Sequence, residues 1–114
     1  MQVPADYVVE QGTNYTKWNS GKAECWGRGV MTPSSDDSTS IGGQTWYRNS
    51  LTETLPINFV AVDTVSATSI TTVPWGVMVS AGFDVTSGNT VTIWLARYNT
   101  TATQVSWYLL GRWK

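Results

Sequence analysis

The sequence contains no histidine and only one cysteine, Cys25. Without histidine the commonest general base and metal ligand is missing, and a single cysteine cannot complete a zinc site of nitrogen and sulfur ligands. The same count excludes an internal disulfide, and with it the stapled scaffold of many small extracellular domains. We therefore expect no enzyme, no metal centre and no cofactor, and a fold that depends on packing alone.

Charge is also scarce. Charged residues make up 13% of the chain, about half of the usual share in a soluble protein, and the formal net charge is −1. The lysines and arginines are scattered, so the chain lacks the basic patch that nucleic-acid binding requires. No apolar run approaches the roughly 18 residues that cross a bilayer, and the amino terminus has no signal-peptide pattern. We expect no nucleic-acid partner and no membrane insertion.

In place of these features the chain has many aromatic and β-branched residues. Its 114 residues, enough for one domain (1–114), include seven tryptophans and five tyrosines. No stretch places apolar residues at helical spacing over three turns, whereas β-branched and aromatic residues alternate with Ser, Thr and Asn. This pattern predicts an all-β fold with essentially no α-helix, either an antiparallel β-sandwich or a small jelly roll.

Turn residues divide the chain into predicted strands. The clearest hairpin joins NYTKW to KAECWGRGVM through Asn19, Ser20 and Gly21, and in its second strand Cys25 points to the core. Residues 32–45 are polar and glycine-rich and are interpreted as a long loop. The other predicted strands are 6–11, 46–59 with Pro56 at an edge or bulge, 62–70, and three consecutive antiparallel strands at 76–85, 90–99 and 103–113.

Three segments resemble the carboxy-terminal domains of phage and prophage tail-fibre or minor structural proteins. They are DYVVEQG at 6–12, YTKWNSGKAECWG at 15–27 and SWYLLGRWK at 106–114, and LPINF at 55–59 also fits. The resemblance implies a homotrimeric β-sandwich head at the tip of a virion's tail fibre, which contacts a glycan or protein on a bacterial cell surface. It also implies that residues 1–5 are the remnant of a linker to a preceding shaft.

The last strand is also similar to that of H-type lectin domains, through Val105, Trp107 and Gly111. Those lectins are trimers that bind sugars in clefts between subunits, but none of their sugar-contacting residues can be aligned here. Two functions follow as alternatives. The domain either binds a surface receptor, such as a glycan, or serves only as a structural trimerisation and capping module of a fibre.

Candidate ligand-binding residues are aromatic rings and arginines near predicted turns and strand ends. Arginine offers a planar fork of donors to a hydroxyl or a carboxylate, and an aromatic ring offers a platform for a sugar. For each of them, packing within the domain is the alternative role. The candidates are Trp18, Tyr47, Arg48, Trp75, Arg97 and Tyr98.

Other polar and aromatic residues are given structural roles. Asp36 and Asp37 lie side by side in the predicted loop, but their spacing matches no calcium loop, so we expect solvated carboxylates. Trp94 and Trp107 lie mid-strand, so we assign both to the core or to a threefold interface. Trp113 is next to the carboxy terminus, and oligomerisation would supply its packing partner.

Overall fold

The computed structural model describes residues 6–70, 76–84, 86 and 88–114. Over these ranges the chain is all-β, as the sequence predicts, and contains no helix long and apolar enough to cross a membrane. The linker remnant expected at residues 1–5 lies outside them. The strands are β1 (Val8–Gly12), β2 (Tyr15–Trp18), β3 (Lys22–Met31), β4 (Ser34–Ile41), β5 (Gln44–Thr54), β6 (Ala61–Ile70), β7 (Val77–Asp84), β8 (Thr90–Arg97) and β9 (Thr103–Arg112).

The strands form two antiparallel sheets that pack against each other as a β-sandwich. The five-stranded sheet has the order β1-β2-β3-β9-β6, and the four-stranded sheet has the order β4-β5-β8-β7. Strand β9 is paired along its length on both sides, with β3 on one side and with β6 on the other. The edges formed by β6 and β7 lie beside each other and connect the two sheets.

The core lies between the sheets and is built from alternate residues of each strand. In β8 the odd-numbered residues from Val91 to Leu95 are buried, and in β9 the odd-numbered residues from Val105 to Leu109 are buried. This period of two is what strand geometry requires when one face of a sheet is covered. Each aliphatic side chain that becomes fully buried contributes about 1.5–3 kcal/mol before the entropy of ordering is counted.

The predicted hairpin between β2 and β3 is confirmed. Gly21 has a φ of 102°, a value that only glycine adopts readily, and its N–H donates to the carbonyl of Trp18 at 3.1 Å. In β3, Ala23 and Cys25 are fully buried while Trp26 points to the opposite face. The alternation in the sequence therefore gives the correct orientation of this strand.

The predicted loop over residues 32–45 is wrong, because most of it is the hairpin of β4 and β5. Ile41 pairs with Gln44 across a two-residue turn, in which Gly42 and Gly43 have φ values of 62° and 81°. Two consecutive positive φ values characterise the tight turns that match the twist of a hairpin. Strand β4 is polar because it is a sheet edge that covers little of the core, so its sequence has the composition of a loop.

The prediction of three consecutive antiparallel strands at the carboxy terminus is only partly correct. Strands β7 and β8 pair throughout, but β9 leaves that sheet and lies between β3 and β6. Alternation shows which face of a strand is buried, and it is the same whichever sheet the strand joins. The short connection between Arg97 and Thr103 therefore passes from one sheet to the other, where a hairpin was expected.

The connection between β5 and β6 closes one end of the core. Leu55, Ile57 and Phe59 are buried, and backbone N–H groups of this segment donate to carbonyls in the turn before β8. The sequence predicted that strand character continues through Pro56, but β5 ends at Thr54. Proline has no N–H to donate to a neighbouring strand, so the ladder stops before it.

Trp113 is packed by its own chain. Its indole N–H donates to the carbonyl of Trp18 at 2.8 Å, and its backbone N–H donates to the carbonyl of Gly21 at 2.9 Å. The ammonium groups of Lys17 and Lys114 lie 5.3 and 5.0 Å from the centre of its ring. The expectation that oligomerisation supplies this contact is therefore unnecessary, because the turn between β2 and β3 supplies it.

Candidate functional site

The outer face of the four-stranded sheet exposes an unusual number of large side chains. Because the odd-numbered residues of β8 face the core, its even-numbered residues face outward, and Trp94 is 48% exposed. On the neighbouring strand β7, Met78 is 47% exposed, and Tyr98, directly after β8, is 43% exposed. Exposed rings and thioethers gathered on one face mark an interaction surface more often than a bare structural surface.

These side chains border a groove of about 540 Å³, which we call the outer groove. Two rows of cross-strand partners lie along it. In one row Arg48, Ala96 and Met78 are neighbours on β5, β8 and β7, and in the next row Ser50, Trp94 and Ser80 are neighbours. Alanine is small and lies between two large side chains in the first row, whereas the large tryptophan stands between two serines in the second, so low and high positions alternate across the surface. The outward side chains that line the groove are those of Arg48, Met78, Ser80, Trp94 and Ala96.

A pair of aromatic rings in contact also lies on the same outer face. Trp46 on β5 and Tyr98 contact each other with ring centroids 4.4 Å apart and planes inclined by 58°. Gly76 lies under the Tyr98 ring, where a Cβ atom would overlap with it, and the N–H of Tyr98 donates to the carbonyl of Gly76 at 3.2 Å. The ring of Tyr98 is therefore held in place before any ligand arrives.

An ion pair lies beside the outer groove. The guanidinium of Arg48 donates from Nε and Nη2 to the same oxygen, Oδ1 of Asp37, at 3.1 and 2.6 Å. The pairing of β4 with β5 is irregular at this point: Ser34 lies opposite Arg48 and Ser38 lies opposite Tyr47, which leaves three residues as a bulge. Bulges redirect side chains, and this one places Asp37 against Arg48.

The structure separates the two predicted pairs of binding residues. Neighbours on a strand point to opposite faces, so Arg48 and Tyr98 face outward whereas Tyr47 and Arg97 face the interior. Tyr47 is half-buried, and Arg97 is only 7% exposed. The expectation that Arg97 projects from a rim is therefore corrected.

Arg97 is instead a buried cation. Its Nη1 donates to Oγ1 of Thr103 at 2.6 Å, and its Nε has no hydrogen-bond partner among the described residues. All eight aspartates and glutamates of the chain are among those residues, and the ion pairs that they form involve Lys17 and Arg48 rather than Arg97. Burial of an arginine without a carboxylate partner lowers the stability of the fold.

Two predicted binding residues lie away from the outer groove. Trp18 is on β2 of the five-stranded sheet, half-buried, with the ammonium of Lys22 4.5 Å from the centre of its ring. That cation covers one face of the indole, so packing is the role that the contacts of Trp18 show. Trp75 lies outside the described residues.

Trp94 was assigned to the core or to a threefold interface. The core alternative is wrong, because Trp94 points away from the core, whereas Trp107 is 8% exposed and belongs to it. The interface alternative for Trp94 stays a prediction. The signal was present in the alternation, because Ile93 and Leu95 cannot face inward together with Trp94. Trp46 and Met78 were not selected at all, and only the pairing of β5, β8 and β7 brings them near Trp94.

Two titratable groups of the protein have pKa values well above their ordinary range. Burial, together with the charge of Glu24, raises the pKa of Cys25 to about 12, so this thiol stays protonated. Burial and a hydrogen bond to Glu24 raise the pKa of Tyr108 to about 12. Among the described residues, no group of three or more His, Cys, Asp or Glu side chains could hold a metal ion.

Comparisons with known proteins give no independent assignment. No family model, no curated protein and no solved structure matches this chain. The resemblance to tail-fibre domains therefore stays a prediction from the quoted motifs. What can be said of function depends on the geometry of the outer groove.

Proposed function

We propose that this chain is a carbohydrate-binding head domain of a phage tail fibre, and that the outer groove is its sugar site. The observation that supports this most directly is Trp94, a tryptophan half open to solvent beside the Arg48–Asp37 pair. A sugar ring has an apolar face of C–H groups and an edge of hydroxyls. The groove presents one indole for the face, and donors and acceptors for the edge.

The shape and chemistry of the groove favour a small polar ligand. Binding sites for small molecules are concave, mostly apolar and fitted with a few placed polar groups, and they span about 300–1,000 Å³. The outer groove, at about 540 Å³, lies in this range. Its base is a paired β-sheet, so the backbone beneath the ligand needs no ordering on binding.

The fibre context supports a bacterial surface glycan as the receptor. The motifs quoted above resemble tail-fibre heads, which are trimers, and three weak sites on one rigid body would gain avidity on a surface that repeats its sugars. The outer face of the five-stranded sheet supports self-association, because it exposes Trp26, Val30 and Ile70 at alternate positions. This is the surface that we propose for contacts between copies.

A glycan array followed by calorimetric titration of the best ligand tests the proposal. Trp94→Ala should lower the affinity per chain at least tenfold, because the ring that the sugar covers is removed. Tyr7→Ala is the matched control, since Tyr7 is also an exposed aromatic residue but lies beside the turn between β2 and β3 and is not among the residues proposed for contacts between copies. Equal loss in both variants, or binding to no glycan at all, would contradict the sugar site.

The second candidate is a structural module that trimerises or caps a fibre and binds no receptor. The apolar side chains exposed on the outer face of the five-stranded sheet favour it, because self-association alone accounts for their exposure. Sedimentation equilibrium gives the mass of the assembly, and the array gives binding. A stable trimer that binds no glycan supports this alternative, whereas a monomer at micromolar concentration contradicts both trimeric models.

A further inference from the structure

The charges at the outer groove limit the class of sugar that it can take. Arg48 is the cation in its lining, and both of its hydrogen bonds to protein go to Oδ1 of Asp37. Asp36 is exposed next to Asp37, and Asp84 lies on the same outer face at the far end of β7. Strands β5 and β8 add no carboxylate to that face, since Glu53 alternates inward with Leu51. The face therefore carries more negative than positive charge.

The ion pair leaves one donor and one acceptor available to a ligand. Nη1 of Arg48 and Oδ2 of Asp37 have no hydrogen-bond partner among the described residues, and both side chains are about two-fifths exposed. Hydroxyls of a sugar can satisfy both groups, one by accepting from the guanidinium and another by donating to the carboxylate. A sugar acid keeps its hydroxyls and differs from the neutral sugar in its carboxylate, which can accept from Arg48 but has no proton to give Asp37.

A sugar acid would also be repelled at this position. To reach Arg48 its carboxylate must approach Asp37, which already neutralises the guanidinium, or displace it from two charge-assisted hydrogen bonds. Like charges within a few ångströms disfavour binding even at a partly solvated site. A sugar acid whose carboxylate lies near Asp37 thus loses affinity, whereas an uncharged sugar does not.

We infer that the outer groove selects uncharged hexoses and rejects uronic and sialic acids, with Asp37 as the residue that determines this specificity. The inference rests on the proposed function, because it assigns the ligand class of the same site. Asp37 acts in two ways: it accepts a hydroxyl proton from a neutral sugar, and its charge excludes a carboxylate.

Matched pairs of sugars test the inference. Methyl glycosides of glucose, galactose and mannose are compared with the corresponding uronic acids, which differ only in a carboxylate at C6. Binding to the full chain is measured by surface plasmon resonance with each sugar displayed on a polymer, at low and at physiological salt. We expect the preferred neutral sugar to bind at least tenfold tighter than its acid, with a smaller difference at high salt because screening weakens the repulsion.

Two variants separate specificity from general charge. Asp37→Asn should reduce the difference in affinity between neutral and acidic sugars to threefold or less, because the repelling charge is removed. Asp36→Asn makes the same change of charge on the adjacent residue, which does not bond Arg48. This variant should preserve the difference in affinity between neutral and acidic sugars. Acidic sugars that bind as tightly as neutral ones, with Trp94 still required, would overturn this inference alone. Binding to neither class would overturn the proposed function as well.

Discussion

The ring of Trp107 lies directly over the backbone of Gly27, so that a Cβ atom at position 27 would overlap with it. The two residues are cross-strand partners in the centre of the five-stranded sheet, on β3 and β9. Glycine is required here by a neighbour rather than by backbone conformation, since its φ is not positive. The largest core side chain therefore packs against a position of β3 that has no side chain to displace it.

Gly27→Ala is expected to destabilise the fold by about 1–3 kcal/mol, because the new methyl group forces Trp107 out of its position. Gly82→Ala is the control, since nothing lies within 4 Å of the Cβ position at 82. That variant should be neutral or more stable by up to about 1 kcal/mol, because alanine loses less entropy in a strand. Urea unfolding measures both, and equal effects in the two variants would refute the packing role of Gly27.

Truncation of Trp107 should lower the free energy of unfolding much more than truncation of Trp94. Trp107→Ala removes a core ring and should cost about 3–5 kcal/mol of unfolding free energy. Trp94→Ala removes an exposed ring and should cost less than about 1 kcal/mol of unfolding free energy, while it lowers the sugar affinity at least tenfold. Thermal unfolding followed by circular dichroism separates them. A loss of several kcal/mol from Trp94→Ala would show that Trp94 supports the fold rather than a ligand.

These two tryptophans also show how far the sequence predicts the structure. Alternation identifies strands and faces, and it correctly places Cys25 and Trp107 in the core. It cannot tell which strands pair, because β9 would alternate in the same way beside β8 as it does beside β3. The outer groove depends on that pairing, since Arg48, Met78 and Trp94 come from three strands.

The missed strand β4 has a different physical cause. An edge strand that covers little of the core needs no apolar face, so its serines, threonines and aspartates have the composition of a loop. Only the pair Gly42 and Gly43 pointed to a hairpin, and its flanking residues are too polar to support that interpretation from the sequence. The ion pair of Asp37 with Arg48 was unpredictable for the same reason, since it requires the bulge in β4.

Cys25 should be unreactive in the folded protein. It is fully buried, and its pKa is raised to about 12 from an ordinary 9.0, so the thiolate that attacks disulfide reagents does not form. The folded state holds the proton of the Cys25 thiol more tightly than the unfolded state does. The contribution of this thiol to the free energy of unfolding is therefore complete below pH 9 and is lost as pH rises from 9 to 12.

Two measurements check this. The native protein at pH 8 should resist a chromogenic disulfide reagent that labels one thiol per chain in denaturant. The decline of unfolding free energy above pH 9 should be shallower in Cys25→Ala than in the unaltered chain. Tyr108 also has a raised pKa and titrates in the same window, so some decline should persist in the variant. Rapid labelling of the native protein would contradict the burial of Cys25.

Arg97→Met should leave the protein as stable or make it more stable. The substitution removes a buried charge that has no carboxylate partner, and Thr103 Oγ1 still donates to the carbonyl of Thr101 at 3.0 Å. Sugar binding should be unchanged, because Arg97 faces the interior. Arg48→Met, which removes an outer-groove arginine, should instead lower affinity. If Arg97→Met abolished binding without unfolding the protein, the assignment of the site to the outer face would fail.

The central claim is that a sugar binds at Trp94 on the outer face of the four-stranded sheet. The most direct test is a titration of ¹⁵N-labelled protein with the best sugar, in which the indole N–H resonances of the tryptophans are assigned by substitution and followed by NMR. The account predicts a large, saturable shift for Trp94, a smaller one for Trp46 and none for Trp107 or Trp113. Saturable shifts confined to Trp18 or Trp26, with Trp94 unmoved, would contradict it.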